Sequence, residues 1–460
     1  MEANSSRSST NLLSEGSVGG QLIRFSLPVL LANLIQTAYS SVNIMFLGRF
    51  STPAALAGVG NASSLIYTAT SFFIGLMTGG TILLGQYFGA RKDEDSARVT
   101  GNIAVLLLAS SVVVTLLLFL FGRQFLRIID IPPEAVPEAW RYMRICAWGL
   151  VFTMGYTAVS SVLRALGNSR APLVFVAVSF AVHVALDILF IQALHMNAAG
   201  AAYATVIAQA VSFILALLYL YKTKLPYPLF IRHLRPDPGV IKRIVRLGLP
   251  ISLQTLLNML SFIVVAAIIN GMGVSASAAN GVVNNIINFY MVIPFAIGAA
   301  LSAVSAQNIG AGKPERAARS TKLGVLISLV FAVPATVFAN LYPEAIVAFF
   351  ARDAEVIRDS ALFLTSFSWD CVLVGFVFCI NGFLNGCGIT TFVALHETAA
   401  AFLVRIPLSW ALSLLPGATL FHIGIGTPAA TAFSLLLCAI YYKVKLDRGR
   451  LLTLKMREVG

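Results

Sequence analysis

Three carboxylates lie well inside apolar stretches of this 460-residue sequence: Asp187, Asp370 and Glu397. A charged side chain at the centre of a bilayer costs roughly 3 kcal/mol or more, so each of them needs a structural or functional reason. Asp187 has His183 one helical turn before it, which places both side chains on one helix face. A carboxyl group beside an imidazole suits proton transfer, and it also suits a hydrogen bond that locks two helices together.

The other two carboxylates occur in the second half of the chain. Asp370 and Arg405 lie 18 and 17 residues from a predicted helix turn near residue 388, so they should reach the same depth. This spacing predicts a structural ion pair. Glu397, beside His396, has no evident partner and is a second candidate for a titrating or substrate-binding group.

Amide side chains form polar stripes on otherwise apolar helices. Asn33, Gln36 and Asn43 fall within an arc of ~80° at 100° per residue. One or two such residues would serve as interhelical hydrogen bonds, whereas a larger set predicts a water-filled cavity shared by the two halves. The predicted cavity residues are Asn33, Gln36, Gln254, Asn258, Asn284, Asn288 and Glu397.

Composition places these residues in a membrane protein. Hydrophobic residues make up 58% of the chain, charged residues 11%, and the mean hydropathy is +0.85. A soluble domain has about 45–50% apolar and 25% charged residues. The apolar runs predict an all-α integral membrane protein with twelve transmembrane helices, most of them with the roughly 20 apolar residues that a span needs.

The chain also repeats itself at an offset of 221 to 222 residues. Leu27-Pro28 recurs as Leu249-Pro250. A second repeated motif consists of Gln86, Gly89, Ala90, Lys92 and Glu94, which correspond to Gln307, Gly310, Ala311, Lys313 and Glu315. A third pairs Leu163 and Gly167 with Leu384 and Gly388. Six spans in each half return the chain to its starting side, so the sequence predicts two parallel six-helix repeats.

The basic residues indicate the topology. Most of the 32 lysines and arginines fall on one side of the predicted spans, which predicts cytoplasmic N- and C-termini in a cell membrane. The net charge of +13 is then explained by topology and anionic lipid, so no nucleic-acid partner is expected. The predicted organisation is a disordered tail at 1–18, an N-lobe at 19–221, a linker at 222–246, a C-lobe at 247–443 and a C-terminal tail at 444–460.

The repeated motifs resemble those of the multidrug and toxic compound extrusion (MATE) transporters. The resemblance covers about residues 20–445 and rests on Leu-Pro in the first span of each half, on Gln-x-x-Gly-Ala-x-Lys-x-Glu after the second span, and on LRALGNSRAP at 163–172. It implies export of drugs or metabolites against a proton or sodium gradient. It also implies a monomer.

The resemblance suggests roles for three residues. It places Asp187 in a cation-coupling cluster of the N-lobe, and relatives often carry an Asp at the position of Asn43 and an Asn at that of His183. With one carboxylate the site is less suited to sodium, which prefers several charged oxygen ligands. The expected coupling residues are therefore Asp187, His183 and Asn43, with H+ favoured over Na+.

The sequence contains no P-loop, no HExxH and no Gly-x-Ser-x-Gly motif, so we expect neither an enzyme with catalytic residues nor a bound metal or cofactor. The functional prediction is a cation-coupled antiporter that exports organic cations or metabolites by alternating access. The alternatives are a lipid-linked oligosaccharide flippase of the same broad superfamily and a passive channel.

Overall fold

The computed structural model describes residues 13–128, 131–223 and 225–446, and this part of the chain contains helices and no strand. Twelve of these helices are long and apolar enough to cross a membrane, which confirms the predicted all-α fold. Large apolar side chains face outward, among them Leu120, Trp148 and Leu403, which are 64%, 72% and 68% exposed. Surfaces of this kind suit contact with lipid.

The chain divides into two compact units. The first unit includes Leu27–Ser252, and the second includes Leu13–Ser26 with the described part of Leu253–Gly460. Both divisions fall inside a long helix, close to Pro28 and Pro250. The boundaries of these units differ from the predicted ones, which were lobes at 19–221 and 247–443 and a linker at 222–246. The difference arises because the start of each repeat's first helix groups with the other unit.

The first half of the chain supplies six membrane helices. The fourth is preceded by a 3-10 turn at Pro133–Ala135, and the fifth continues as a π-helical turn at Ile188–Ala193. The helices are α1 (Val18–Phe50), α2 (Pro53–Gly89), α3 (Asp93–Ile128), α4 (Val136–Ala165), α5 (Arg170–Asp187) and α6 (Asn197–Thr223).

The second half supplies the other six spans in more pieces. A π-helical turn at Ala400–Arg405 interrupts the eleventh span, and another at Tyr442–Leu446 ends the twelfth. The helices are α7 (Pro238–Asn270), α8 (Val274–Gly310), α9 (Pro314–Leu341), the short α10 (Pro343–Ala348), α11 (Ala354–Gly386), α12 (Thr390–Ala399), α13 (Ile406–Ser413), α14 (Leu420–Gly424) and α15 (Gly426–Tyr441).

Glycines bring the first part of α7 against α2 within the first unit. A Cβ atom on Gly79 would lie 2.5 Å from the backbone nitrogen of Gly248, and a Cβ on Gly75 would lie 2.7 Å from the Cα of Ser252. Real Cβ atoms do not approach so closely, so this backbone contact requires residues without side chains. The close packing explains why 238–252 groups with the first unit.

The segment between α6 and α7 is docked on α3. The hydroxyls of Tyr227 and Thr100 lie 2.6 Å apart, and the backbone N–H of Asp237 donates to Asn102 Oδ1 at 2.8 Å. His233 is buried and contacts Glu94 at 3.2 Å. Burial raises the pKa of Tyr227 above its ordinary value, so this hydroxyl stays protonated.

Residues 13–18 correct the prediction of a disordered tail at 1–18. Leu13 is buried, its backbone N–H donates to Gln307 at 2.9 Å, and its carbonyl accepts from Asn308 at 3.2 Å. Lys313 donates to the Ser14 carbonyl at 3.0 Å. The sequence of this segment is polar, but the buried amides of α8 pair with its backbone. The rest of the predicted N-terminal tail, 1–12, and residues 447–460 of the predicted C-terminal tail lie outside the described residues.

Candidate functional site

A buried polar cluster at the end of α5 contains two of the predicted coupling residues. Asp187 is the last residue of the α-helix before the π-helical turn, and both Asp187 and His183 are fully buried. His183 Nδ1 lies 3.4 Å from Asp187 Oδ2, yet these two atoms and Asp187 Oδ1 have no hydrogen-bond partner among the described residues. Turns of this type occur often at functional sites.

The third predicted residue, Asn43, joins this cluster through Thr205 on α6. Asn43 Nδ2 donates to Thr205 Oγ1 at 3.3 Å, and His183 Nε2 lies 3.4 Å from the same oxygen. The Thr205 hydroxyl itself donates to the Ala201 carbonyl at 2.8 Å. Thr205 therefore accepts from both residues, and Asp187 is connected to them through its 3.4 Å contact with His183.

The proton on His183 follows from these contacts. Since Thr205 uses its own hydrogen on the backbone, the Nε2 atom of His183 has to carry the proton that points toward Thr205. A neutral His183 then presents the bare Nδ1 lone pair to the Asp187 carboxyl group. Tyr39 packs against the imidazole with ring centroids 4.6 Å apart and fixes its orientation.

The predicted ion pair between Asp370 and Arg405 is wrong in its partners. No contact of 4.0 Å or less joins their charged atoms in the part of the chain that the structure describes, although the two charges lie close enough to influence each other. Arg405 Nη1 instead donates to Asn258 Oδ1 at 2.9 Å and to Ser261 Oγ at 3.3 Å, and its guanidinium lies 4.3 Å from the Phe262 ring centre. Spacing along the hairpin predicts how deep a residue lies in the membrane, but it does not predict the direction in which its side chain points from the helix. The side chain of Arg405 points toward α7.

Glu397 has a partner that the sequence did not indicate. Asn381 Nδ2 donates to Glu397 Oε1 at 2.7 Å, and Asn381 Oδ1 lies 3.0 Å from His396 Nε2. Asn381 lies on α11, whereas Glu397 and His396 lie on α12. An amide in the middle of an apolar span was the available signal for this contact.

The remaining predicted cavity residues belong to both units. Asn33 and Gln36 lie in the first unit, where Asn33 is half-buried with an unpaired Nδ2 and Gln36 is exposed. In the second unit Gln254 and Asn258 are half-buried, while Asn284 and Asn288 are exposed. Asn284 Nδ2 donates to Asn280 at 3.0 Å. Most of the predicted set is therefore at least partly exposed, and Asn258 accepts a hydrogen bond from Arg405.

Comparison with known proteins identifies relatives over nearly the whole chain. The MatE family model matches residues 28–189 and again 250–411, at the offset of the internal repeat. The chain is 28% identical over 441 residues to the probable multidrug resistance protein YoeA of Bacillus subtilis, covering 94% of this chain and 95% of that protein. It is 26% identical over 429 residues to the probable multidrug resistance protein YpnP of the same organism, covering 93% and 96%.

Solved structures agree on the fold. One is an outward-facing multidrug resistance MATE family transporter of the MOP superfamily, with a TM-score of 0.89, 19% identity and coverage of 95% of this chain and 98% of that one. A MATE structure in the bent conformation has a TM-score of 0.89 and 20% identity, with coverage of 98% and 99%. Because the family model covers most of the chain and matches each repeat once, this protein belongs to the MatE family of membrane transporters, which are not enzymes.

Proposed function

We propose that the protein is a proton-coupled antiporter that exports small organic cations. Asp187, His183 and Asn43 bind the coupling ion, and the polar residues of both units bind the substrate. Access to the substrate alternates between the two sides of the membrane. The protein acts as a monomer in the cytoplasmic membrane, with both termini on the cytoplasmic side.

The proposal rests on the unoccupied hydrogen bond between His183 and Asp187. Nδ1 and Oδ2 are 3.4 Å apart, fully buried, and neither has a proton to share when His183 is neutral and Asp187 is ionised. One added proton converts this contact into a hydrogen bond and removes an uncompensated buried charge. Proton uptake and release therefore make and break a contact within α5, at the histidine that also contacts Thr205 of α6.

Sodium is the less suitable coupling ion at this cluster. A hard cation prefers several oxygen ligands with full negative charge. The cluster contains one carboxylate, and the unpaired Oδ1 atom of Asn43 adds only a neutral oxygen to it. A proton can bind to a single basic atom. This cluster offers two, one on the Asp187 carboxylate and one on the His183 ring.

Two observations support organic cations as substrates. The relatives named above are probable multidrug resistance proteins. The exposed and half-buried amides, with the half-buried Glu397, offer acceptors and one carboxylate to a cationic compound. Alternating access has the support of the internal duplication, which is typical of secondary transporters.

The test uses purified protein in liposomes loaded with ethidium, first under an imposed pH gradient and then under an imposed sodium gradient. We expect the pH gradient to drive ethidium movement in the wild-type protein. Asp187→Asn should reduce this movement to the level of protein-free liposomes, because an amide cannot bind the coupling proton. Glu344→Gln, which changes an exposed carboxylate, is the matched control and should transport normally.

Four results would change the proposal. Movement driven by sodium alone would assign the coupling ion to Na+. Coupled movement that survives Asp187→Asn would remove this residue from the mechanism. Movement of ethidium without saturation or coupling would indicate a channel, and no movement by a folded protein would direct the next assay to a lipid-linked oligosaccharide.

A further inference from the structure

A pocket of about 530 Å³ lies in the second unit, between the start of α1 and the start of α9. Val18 of α1 lines one part of it, and the turn between α8 and α9 lines another. The charged residues of the lining are Lys313, Arg316 and Arg319, with Glu315 as the one carboxylate. Three cations against one anion make this pocket a candidate site for a negatively charged ligand.

None of the three cations has an anionic partner among the described residues. Lys313 Nζ donates to the Ser14 carbonyl at 3.0 Å, and Arg316 Nη2 donates to the Glu15 carbonyl at 2.7 Å. The Arg316 Nε atom is buried without a hydrogen-bond partner, and the exposed guanidinium of Arg319 has neither an ion pair nor a hydrogen bond in the described part of the chain. Both arginines can therefore donate charge-assisted hydrogen bonds to an added anion.

The internal repeat shows what this motif contains when its charges are balanced. Residues 91–98 of the first repeat include three basic and three acidic side chains, and Arg98 pairs with Glu94 at 3.5 Å. Residues 312–319 of the second repeat include three basic side chains and one acidic one, because a proline and an arginine replace two of the aspartates. The second repeat therefore has an excess of two positive charges at the same structural position.

The pocket lies at the end of a membrane span, next to an exposed apolar surface. The ninth span begins at Pro314, so Arg316 and Arg319 lie in its first two turns. Leu326 and Val330 follow Arg319 within about 20° on the same face of the helix, and they are 59% and 60% exposed. A cation at the end of a span, followed by an apolar surface along it, fits a lipid with its phosphate at the cation and an acyl chain on that surface.

We propose that Lys313, Arg316 and Arg319 bind the phosphate group of an anionic phospholipid, with one acyl chain along Leu326 and Val330. An anionic head group reduces the excess positive charge of the pocket. A zwitterionic head group brings its own cation and leaves the excess unchanged, so the site selects anionic lipids. The site belongs to the second unit and contains no residue of the Asp187 cluster.

The experiment measures lipid binding and not transport, so its failure is distinguishable from failure of the proposed function. Native mass spectrometry of the delipidated full-length protein in detergent counts the bound molecules. Separate titrations use dioctanoyl phosphatidylglycerol, dioctanoyl phosphatidylcholine and inorganic phosphate. We expect the first phosphatidylglycerol to bind at least about tenfold more tightly than phosphatidylcholine, which corresponds to one charge-assisted hydrogen bond. Inorganic phosphate should not bind at the same concentrations, because it has no acyl chain.

Two double variants assign the binding to this pocket. Arg316→Gln/Arg319→Gln should weaken the binding of phosphatidylglycerol by about tenfold or more. Arg91→Gln/Arg98→Gln is the matched control, since it removes the same charge from the corresponding motif of the first repeat, and it should bind as the wild-type protein does. Arg319→Gln alone leaves the contacts of Arg316 with the N-terminal segment intact. It should also weaken binding, and it remains informative if the double variant fails to fold.

Three results would overturn the proposal. Equal loss of affinity in the two double variants would indicate general attraction to a basic surface. Equal affinity for the two lipids would show that the pocket does not recognise anionic head groups. Binding of inorganic phosphate as tight as that of phosphatidylglycerol would identify a soluble anion as the ligand.

Discussion

Individual buried charges in this protein are stabilised by amides and hydroxyls more than by opposite charges. Arg405 is held by Asn258 and Ser261, and Glu397 is held by Asn381. Asp187 lies 3.4 Å from His183, and the two share no hydrogen bond. Neutral partners leave each charged group free to change its protonation or its ligand, which a tight ion pair would prevent.

Thr205 is predicted to organise the coupling cluster. Thr205→Val removes the acceptor shared by Asn43 and His183, so two buried donors lose their partner and the folded state should lose about 1–2 kcal/mol. Thr365→Val is the matched control, because the Thr365 hydroxyl also donates to the backbone four residues earlier, at 2.8 Å. Thermal unfolding in detergent compares the two variants. Equal losses of stability would show that the cross-helix contacts of Thr205 contribute nothing.

Arg405 is predicted to stabilise Asp370 without touching it. Arg405→Gln leaves the buried carboxylates of the second unit without a neighbouring cation and should destabilise the protein by roughly 3 kcal/mol. Adding Asp370→Asn should recover part of this loss, whereas adding the distant Asp359→Asn should not. Additive effects in the Arg405–Asp370 double-mutant cycle, measured by thermal unfolding, would contradict the electrostatic coupling.

At the scale of elements, glycines determine which segments can approach each other. Gly79 and Gly248 bring α7 against α2, and Gly101 brings the α6–α7 connection against α3. A Cβ atom on Gly101 would lie 1.9 Å from the carbonyl oxygen of His233, so any side chain there displaces the docked segment. The connection between α6 and α7 is therefore packed as part of the first unit.

The docked connection can be released by one methyl group. Gly101→Ala should destabilise the protein by about 1–3 kcal/mol through overpacking and, by releasing the segment, should make the peptide bond after Arg232 cleavable by trypsin. Gly60→Ala is the control, since a Cβ at Gly60 has no heavy atom within 4 Å, and it should be neutral or stabilising by up to about 1 kcal/mol. Limited proteolysis and thermal unfolding test both variants. An unchanged cleavage pattern in Gly101→Ala would argue against the docking.

At the scale of the whole molecule, the duplication appears both in the helices and in the family match. The two MatE matches start at residues 28 and 250, close to where the chain passes from one unit to the other. Each repeat therefore contributes one helix whose first part groups with the other unit. The chain therefore passes from one unit to the other within α1 and within α7.

The predicted topology can be tested with introduced cysteines, because all five native cysteines are buried and should give little background labelling. Leu194 lies just before the start of α6 and Lys222 lies in its last turn, and both are exposed. In whole cells, Leu194→Cys should react with a membrane-impermeant maleimide. Lys222→Cys should react only after permeabilisation. The reverse pattern would place the termini outside the cell.

Much of this molecule was determined by its sequence. Hydrophobic runs predicted the all-α membrane fold, since a bilayer admits few alternatives, and the repeated Leu-Pro and Gln-x-x-Gly motifs predicted the duplication. One cluster was predicted for Asn43, His183 and Asp187. In the structure Thr205 contacts the first two, and Asp187 lies 3.4 Å from His183. These features follow from helix length and from internal repetition, and both can be read directly from the order of residues in the chain.

Tertiary structure alone decided the partners of the buried groups. Residue counting gave Asp370 and Arg405 a common depth, but the direction of each side chain depends on how neighbouring helices rotate and pack. The contact of Asn381 with Glu397 and the docking of Leu13 on Gln307 join residues 16 and 294 positions apart. Spacing along the chain does not predict such pairs, because they depend on which helices the packing brings together.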